Sequence, residues 1–253
     1  MKKIGIIGGL AWPSTADYYR LICKKANDHF QEAGAASPFP TPSIVIESLN
    51  ISETRSARGV DGDDSSWLNY EKIFRDTFKR LQIAGANIGM IASNTPHTRL
   101  HRICEGLEFP IVSILDTTAA AVAAAGGKNA LILGTPVTMR SEVYPRTMQD
   151  HGVASLTQPD NYDIDVLHRL IDVDLYQGRV DGAAAQILEI SKKYVGDPST
   201  DIVCLACTEL PLGFPDFTDT ACFEYQGIRF VNTIAAHVDA CLLYTSPSPR
   251  DRG

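Results

Sequence analysis

Ile4-Gly-Ile-Ile-Gly-Gly-Leu10 is a short apolar run that stops on two glycines and leads into a long helical stretch at 14–33. A continuous apolar run of this length reads as a strand buried on both faces, as in the middle of a parallel sheet. The pattern returns at Leu131-Ile-Leu-Gly-Thr135, again ahead of a helix. Each half of the chain then carries a second strand with a polar tip. These are Ile88-Gly-Met-Ile-Ala-Ser-Asn-Thr95 and Ile202-Val-Cys-Leu-Ala-Cys-Thr-Glu209.

Working outward, strands are expected at 3–7, 43–49, 88–92, 111–114, 130–133, 201–205 and, more weakly, 230–231. Helices are expected at 14–33, 65–84, 116–125, 140–151, 163–177, 181–195 and 233–240. Strands alternating with helices of this length imply parallel pairing through right-handed crossovers. The expected fold class is therefore α/β, with two similar lobes, each a parallel sheet flanked by helices. The active site is expected in the cleft between them, beyond the carboxyl ends of the strands. The lobes are placed at 1–115 and 116–232, with the last helix, 233–240, returning to the first. From Cys241 to Asp251 the composition turns abruptly to a Ser/Pro run. That string resembles the translation of a sequencing adapter, so 241–253 is read as a non-native tail.

A formal net charge of −7 and a pI near 5.3 speak against a nucleic-acid partner, which a basic face would advertise. Apolar stretches are too short and too often broken by Gly or Pro to span a bilayer, so no membrane partner is expected. The apolar part of 1–9 is shorter than a signal peptide needs, so a cytoplasmic protein is expected. The six cysteines suggest no disulfide scaffold. Cys204 and Cys207 can be read as a metal-binding or redox pair, but no further ligands at zinc spacing accompany them. Cys204 reads more simply as a small buried strand residue.

Gly8-Gly9-Leu10 lacks the third glycine of the dinucleotide fingerprint. It reads better as a tight loop approaching a small ligand, which makes Gly9 and Leu10 candidate substrate contacts, with Asn50 after the second strand. Ser93-Asn94-Thr95 and Cys207-Thr208-Glu209 each place a proton-transfer atom at a strand tip, followed by polar side chains and by backbone N–H groups that suit a carboxylate. Inverting an α-carbon requires a base on one face and an acid on the other. A thiol needs only a modest depression of its pKa to serve as that base near neutrality.

The opening Ile4–Ile22, Asn94-Thr-Pro-His97, Leu133-Gly-Thr-Pro-Val-Thr-Met139, His168-Arg-Leu-Ile171 with Asp174 and Gly178, and Ala206-Cys-Thr-Glu-Leu-Pro-Leu212 follow one another in a familiar order. Together they resemble the aspartate/glutamate racemase family, in the branch with a hydroxyl in place of the first cysteine. The resemblance implies a two-lobed enzyme with no pyridoxal phosphate and no metal, acting on an acidic amino acid and commonly a homodimer. It implies Cys207 and Ser93 as the catalytic pair, with Asn94, Thr95, Thr135 and Thr208 holding the substrate. His97 and Glu209 are candidate supports, His97 as a proton relay for Ser93. Arg55 and Arg58 are candidates to meet a side-chain carboxylate. The chain departs from the family at Ala11, Pro13 and Ser113, and Ser93 leaves it a single catalytic thiol. Two other readings stay open: a one-thiol decarboxylase or isomerase of a small dicarboxylate, and a dicarboxylate-binding protein without catalysis.

Overall fold

Ile4, Ile6 and Ile7 have no exposed surface, and that burial on both faces is what a central parallel strand requires. In the computed structural model, which describes residues 2–245 apart from Asp61 and Thr157, the chain divides into two compact units. Among the described residues, the first comprises 2–92, 99–112 and 238–245. The second comprises 93–98 and 113–237.

In the first unit, β1 (Ile4–Gly8) is followed by α1 (Trp12–Glu32), β2 (Ile44–Ser48), α2 (Ile51–Ser56), α3 (Leu68–Ile83), β3 (Ile88–Ile91) and α4 (Leu100–Ile103). The sheet order is β2-β1-β3, all parallel, with Ile4 level with both Ile44 and Ile88. α3 buries Tyr70, Phe74, Phe78 and Leu81, an i, i+4, i+8, i+11 stripe that packs one helix face on the core. The strand expected at 111–114 is corrected: only Ile111 pairs, as a parallel bridge to Gly89. Ser113 instead caps a helix, its hydroxyl accepting the Asp116 N–H, and this ends the extended backbone.

The second unit runs α5 (Ile114–Ala124), β4 (Asn129–Gly134), α6 (Pro136–Arg140), α7 (Val143–Asp150), β5 (Ala154–Ser155), α8 (Asn161–Arg169), α9 (Ala183–Tyr194), β6 (Asp201–Ala206), β7 (Cys222–Tyr225), β8 (Ile228–Asn232) and α10 (Thr233–Thr245). Its sheet order is β5-β4-β6-β8-β7. β5-β4-β6 repeats the middle-strand-first topology of β2-β1-β3, which is the internal echo heard in the sequence. β7 was not expected and runs antiparallel to β8, an exception to the all-parallel reading. The helix expected over 163–177 is broken after α8 by a π turn at Leu170–Asp174 and a 3-10 turn at Leu175–Gln177. α10 begins in the second unit and ends in the first, continuing through Thr245 with Cys241 buried. The remainder of the adapter-like stretch, 246–253, lies outside the described residues.

Period-two alternation decides the Cys204–Cys207 question. Ala130, Ile132, Ile202, Cys204 and Ala206 pack on one face of the sheet, while Leu131, Leu133, Val203, Leu205 and Cys207 pack on the other. The two sulfurs therefore face opposite cores. Burial pushes the Cys204 thiol far up, so it stays protonated and inert.

Candidate active site

β4 and β6 are in register, with Gly134 opposite Ala206. A side chain on Gly134 would put its Cβ 2.6 Å from the Ala206 carbonyl oxygen, so glycine there lets the two strand ends close up. The next residues along these strands are Thr135 and Cys207. Cys207 is 5% exposed, and its thiol donates to a Glu209 carboxylate oxygen at 2.8 Å. The Thr208 hydroxyl donates to the same carboxylate at 3.2 and 3.3 Å. Glu209 itself is 2% exposed. A carboxylate kept from water is held by such donors, and one placed against a thiol can take its proton.

Residues 93–98 sit with this unit rather than with the strand that leads to them. Of the six, only Ser93 is not buried. The Thr95, Thr135 and Thr138 hydroxyls form a triangle with sides of 3.2, 3.2 and 3.1 Å. Thr135 also caps α6 through the Thr138 N–H. Asn94 is engaged on both sides: its carbonyl oxygen accepts from the Tyr144 hydroxyl at 3.2 Å, and its amide donates to Thr233 at 3.3 Å. His97 Nδ1 faces the Ser93 backbone carbonyl at 2.8 Å and its ring meets His237 edge-on, 5.8 Å between centroids. A carbonyl can only accept, so that contact makes Nδ1 the protonated nitrogen and bonds His97 to the Ser93 backbone.

Eight expected residues thus fall in the second unit: Ser93, Asn94, Thr95, His97, Thr135, Cys207, Thr208 and Glu209. Thr138, Tyr144 and Thr233 join them without having been expected. Thr138 had a readable signal, since it stands three residues after a helix-capping threonine. Tyr144 and Thr233 had none, being distant in sequence from what they touch.

Gly9, Leu10 and Asn50 belong to the first unit. Gly9 has φ +78, and a Cβ there would lie 2.1 Å from the Leu49 carbonyl oxygen, so both backbone and space demand glycine. Its N–H donates to the Thr15 hydroxyl at 2.9 Å. Asn50 caps α2, accepting from the Ser52 N–H at 2.9 Å. Arg55 and Arg58 are half-buried. Burial pushes the Tyr70 phenol up to about 12, and the neighbouring Arg58 guanidinium opposes that rise. Asp174 forms an ion pair with Arg179 at 3.2 Å.

The chain is similar over 98% of its length to an aspartate racemase homologue from Pyrococcus horikoshii OT3, with 27% identity, complete coverage of that structure and a TM-score of 0.72. It shares the fold of Picrophilus torridus aspartate racemase, with 19% identity, a TM-score of 0.69, and coverage of 96% of this chain and 94% of that one. It is also 25% identical, over 150 residues, to the broad specificity amino-acid racemase RacX of Bacillus subtilis (strain 168). That match takes in 59% of this chain, and the chain spans about three fifths (61%) of the length of this curated relative. A model of the Asp/Glu/hydantoin racemase family matches residues 7–241, and with nearly the whole chain matched, the protein belongs to that family.

Proposed function

We propose that this protein interconverts the enantiomers of a small amino acid, with aspartate and glutamate as the first substrates to test, by direct proton transfer from its own side chains. The observation that carries the proposal is the buried Cys207 thiol, hydrogen-bonded at 2.8 Å to a buried carboxylate at a strand tip lined by hydroxyls. In the forward step Glu209 accepts the thiol proton and the Cys207 thiolate removes the α-proton, leaving a planar carbanion-like state. In this reading the Thr95, Thr135 and Thr208 hydroxyls turn from their present partners to donate to the carboxylate oxygens on which charge builds. A proton delivered from the Ser93 side to the other face completes the inversion, and the reverse direction uses the same groups with roles exchanged. An alcohol is a far weaker acid than a thiol, so the two directions are expected to differ in rate. The family resemblance makes a homodimer the assembly to expect, and sedimentation equilibrium tests it.

The single thiol also favours a second reading, in which a small dicarboxylate loses CO2 and Cys207 alone protonates the product. Incubation of single enantiomers in deuterium oxide, followed by NMR and chiral chromatography, separates the two. Racemisation exchanges the α-proton and inverts configuration, whereas decarboxylation loses mass. Cys207→Ala is expected to abolish exchange. A surviving rate in that variant, or no exchange by the wild type on any amino acid tried, would overturn the proposal.

A further inference from the structure

Ser93 takes its position from a segment whose regular structure is one short 3-10 turn, Thr95–Arg99. Side chains supply much of the anchoring there, and on one side they form a directional chain. The Tyr144 hydroxyl donates to Asn94 Oδ1 (3.2 Å), Asn94 Nδ2 donates to the Thr233 hydroxyl (3.3 Å), and Thr233 donates to the Leu205 carbonyl (2.9 Å). Tyr144 and Thr233 have no exposed surface and Asn94 has 2%. Water cannot readily replace a lost partner in such a place, and an unpaired buried polar group is costly. Leu205 lies two residues before Cys207 on β6, and its register partner on β8, Asn232, immediately precedes Thr233. The chain of bonds therefore spans from the residue next to Ser93 to the strand that carries the thiol.

We infer that Tyr144 and Thr233 are positioning residues for proton transfer: acting through Asn94, they fix the Ser93 side of the site relative to Cys207. The inference rests on the racemase reading above. It gives Asn94 an anchoring task, because both its carbonyl oxygen and its amide nitrogen are bonded to protein. Displacing a reacting group by about 1 Å can cost on the order of 10²-fold in rate, so even a small slackening of this chain should register.

The test uses Tyr144→Phe and Thr233→Val, which delete one hydroxyl each, and Thr233→Ser, which keeps it. Exchange of the α-proton in deuterium oxide is followed separately from each pure enantiomer, and amide hydrogen exchange is measured across the 93–98 and β6 peptides. The expected result is a loss of about tenfold or more in kcat with KM within about twofold. The loss should be larger for the enantiomer whose proton leaves toward Ser93. Faster amide exchange should be confined to 93–98, and Thr233→Ser should recover most of the activity. An active wild type with both enantiomers slowed equally, unchanged variants, or no rescue by serine would overturn the positioning role alone. Unaltered protection of 93–98 in both deletions would overturn the anchor itself. A wild type silent on every amino acid would instead sink the racemase reading, and the catalytic part of this inference with it.

Discussion

At the scale of single residues, the proposed chemistry turns on which group takes the Cys207 thiol proton. Glu209 is two residues from Cys207 and its carboxylate lies 2.8 Å from the sulfur. Glu209→Gln keeps the shape and the hydrogen bond but removes the base. We expect kcat for α-proton exchange to fall by about 10²-fold with little change in KM, and an unchanged kcat would remove Glu209 from the proton path. Ser93→Cys puts a stronger acid at the position proposed to serve the opposite face and is expected to preserve or raise activity. A large loss there would show that the hydroxyl has a specific task that sulfur cannot perform. Cys207, Thr208 and Glu209 were legible in the sequence because they are contiguous at the end of an apolar run. Tyr144 and Thr233 were not, because the contacts that place them span 50 and 139 residues, and no local pattern announces such a pairing. His97 was legible as a residue near Ser93, but the bond of its Nδ1 to the Ser93 backbone carbonyl was not, since a ring's orientation leaves no local pattern.

Among elements, strands buried on both faces were the easiest to read. β1, β3 and β6 are buried throughout and β4 is buried after Asn129, and a short apolar run is their signature. β7 was missed because Cys222-Phe-Glu-Tyr225 is a short alternating edge segment, with Phe223 turned inward and its neighbours toward solvent. The expected strand at 111–114 failed for the opposite reason: a helix cap at Ser113 outweighed an apolar composition. The junction of β4 and β6 offers a test of how element packing serves the site. Gly134→Ala would drive a methyl to 2.6 Å from the Ala206 carbonyl, and only a backbone shift can relieve that. The expected cost is about 1–3 kcal/mol, seen as a lowered Tm. A parallel loss of activity is expected, since Thr135 and Cys207 follow directly on the two displaced residues. Unchanged Tm and activity would mean that the strand ends are looser than their close approach implies.

The whole molecule was legible as α/β with repeated topology, because alternation of strand and helix signals is a global pattern. The grouping of residues 93–98 with the later part of the chain was not, since chain order places them with β3. Stability against acid belongs at this scale, and two little-exposed carboxyls of the second unit bear on it. Burial raises the Asp163 carboxyl, but bonds from Lys193 at 2.7 Å and the Tyr194 hydroxyl at 2.8 Å outweigh it and hold the group below its ordinary range. For Asp201, too, burial is outweighed, by the Asp197 N–H, the Asn129 amide and the Gly196 N–H. A carboxyl depressed in the folded state binds its proton more weakly than the unfolded chain does. Its stabilisation is therefore complete above the unfolded value, near 3.8, and is lost as pH falls through the lower folded value. The Tm should hold nearly level from neutral pH to about pH 5 and drop steeply below about pH 4. Asp163→Asn with Asp201→Asn should lower Tm at neutral pH, since charge-assisted bonds are lost, and should flatten the acid limb, since the titrating groups are gone. Calorimetric melts of both proteins from neutral pH into strong acid make the comparison. An acid limb of equal steepness in the double variant would assign the proton uptake to other carboxyls, and these two aspartates would then hold the loops of the second unit without governing its acid stability.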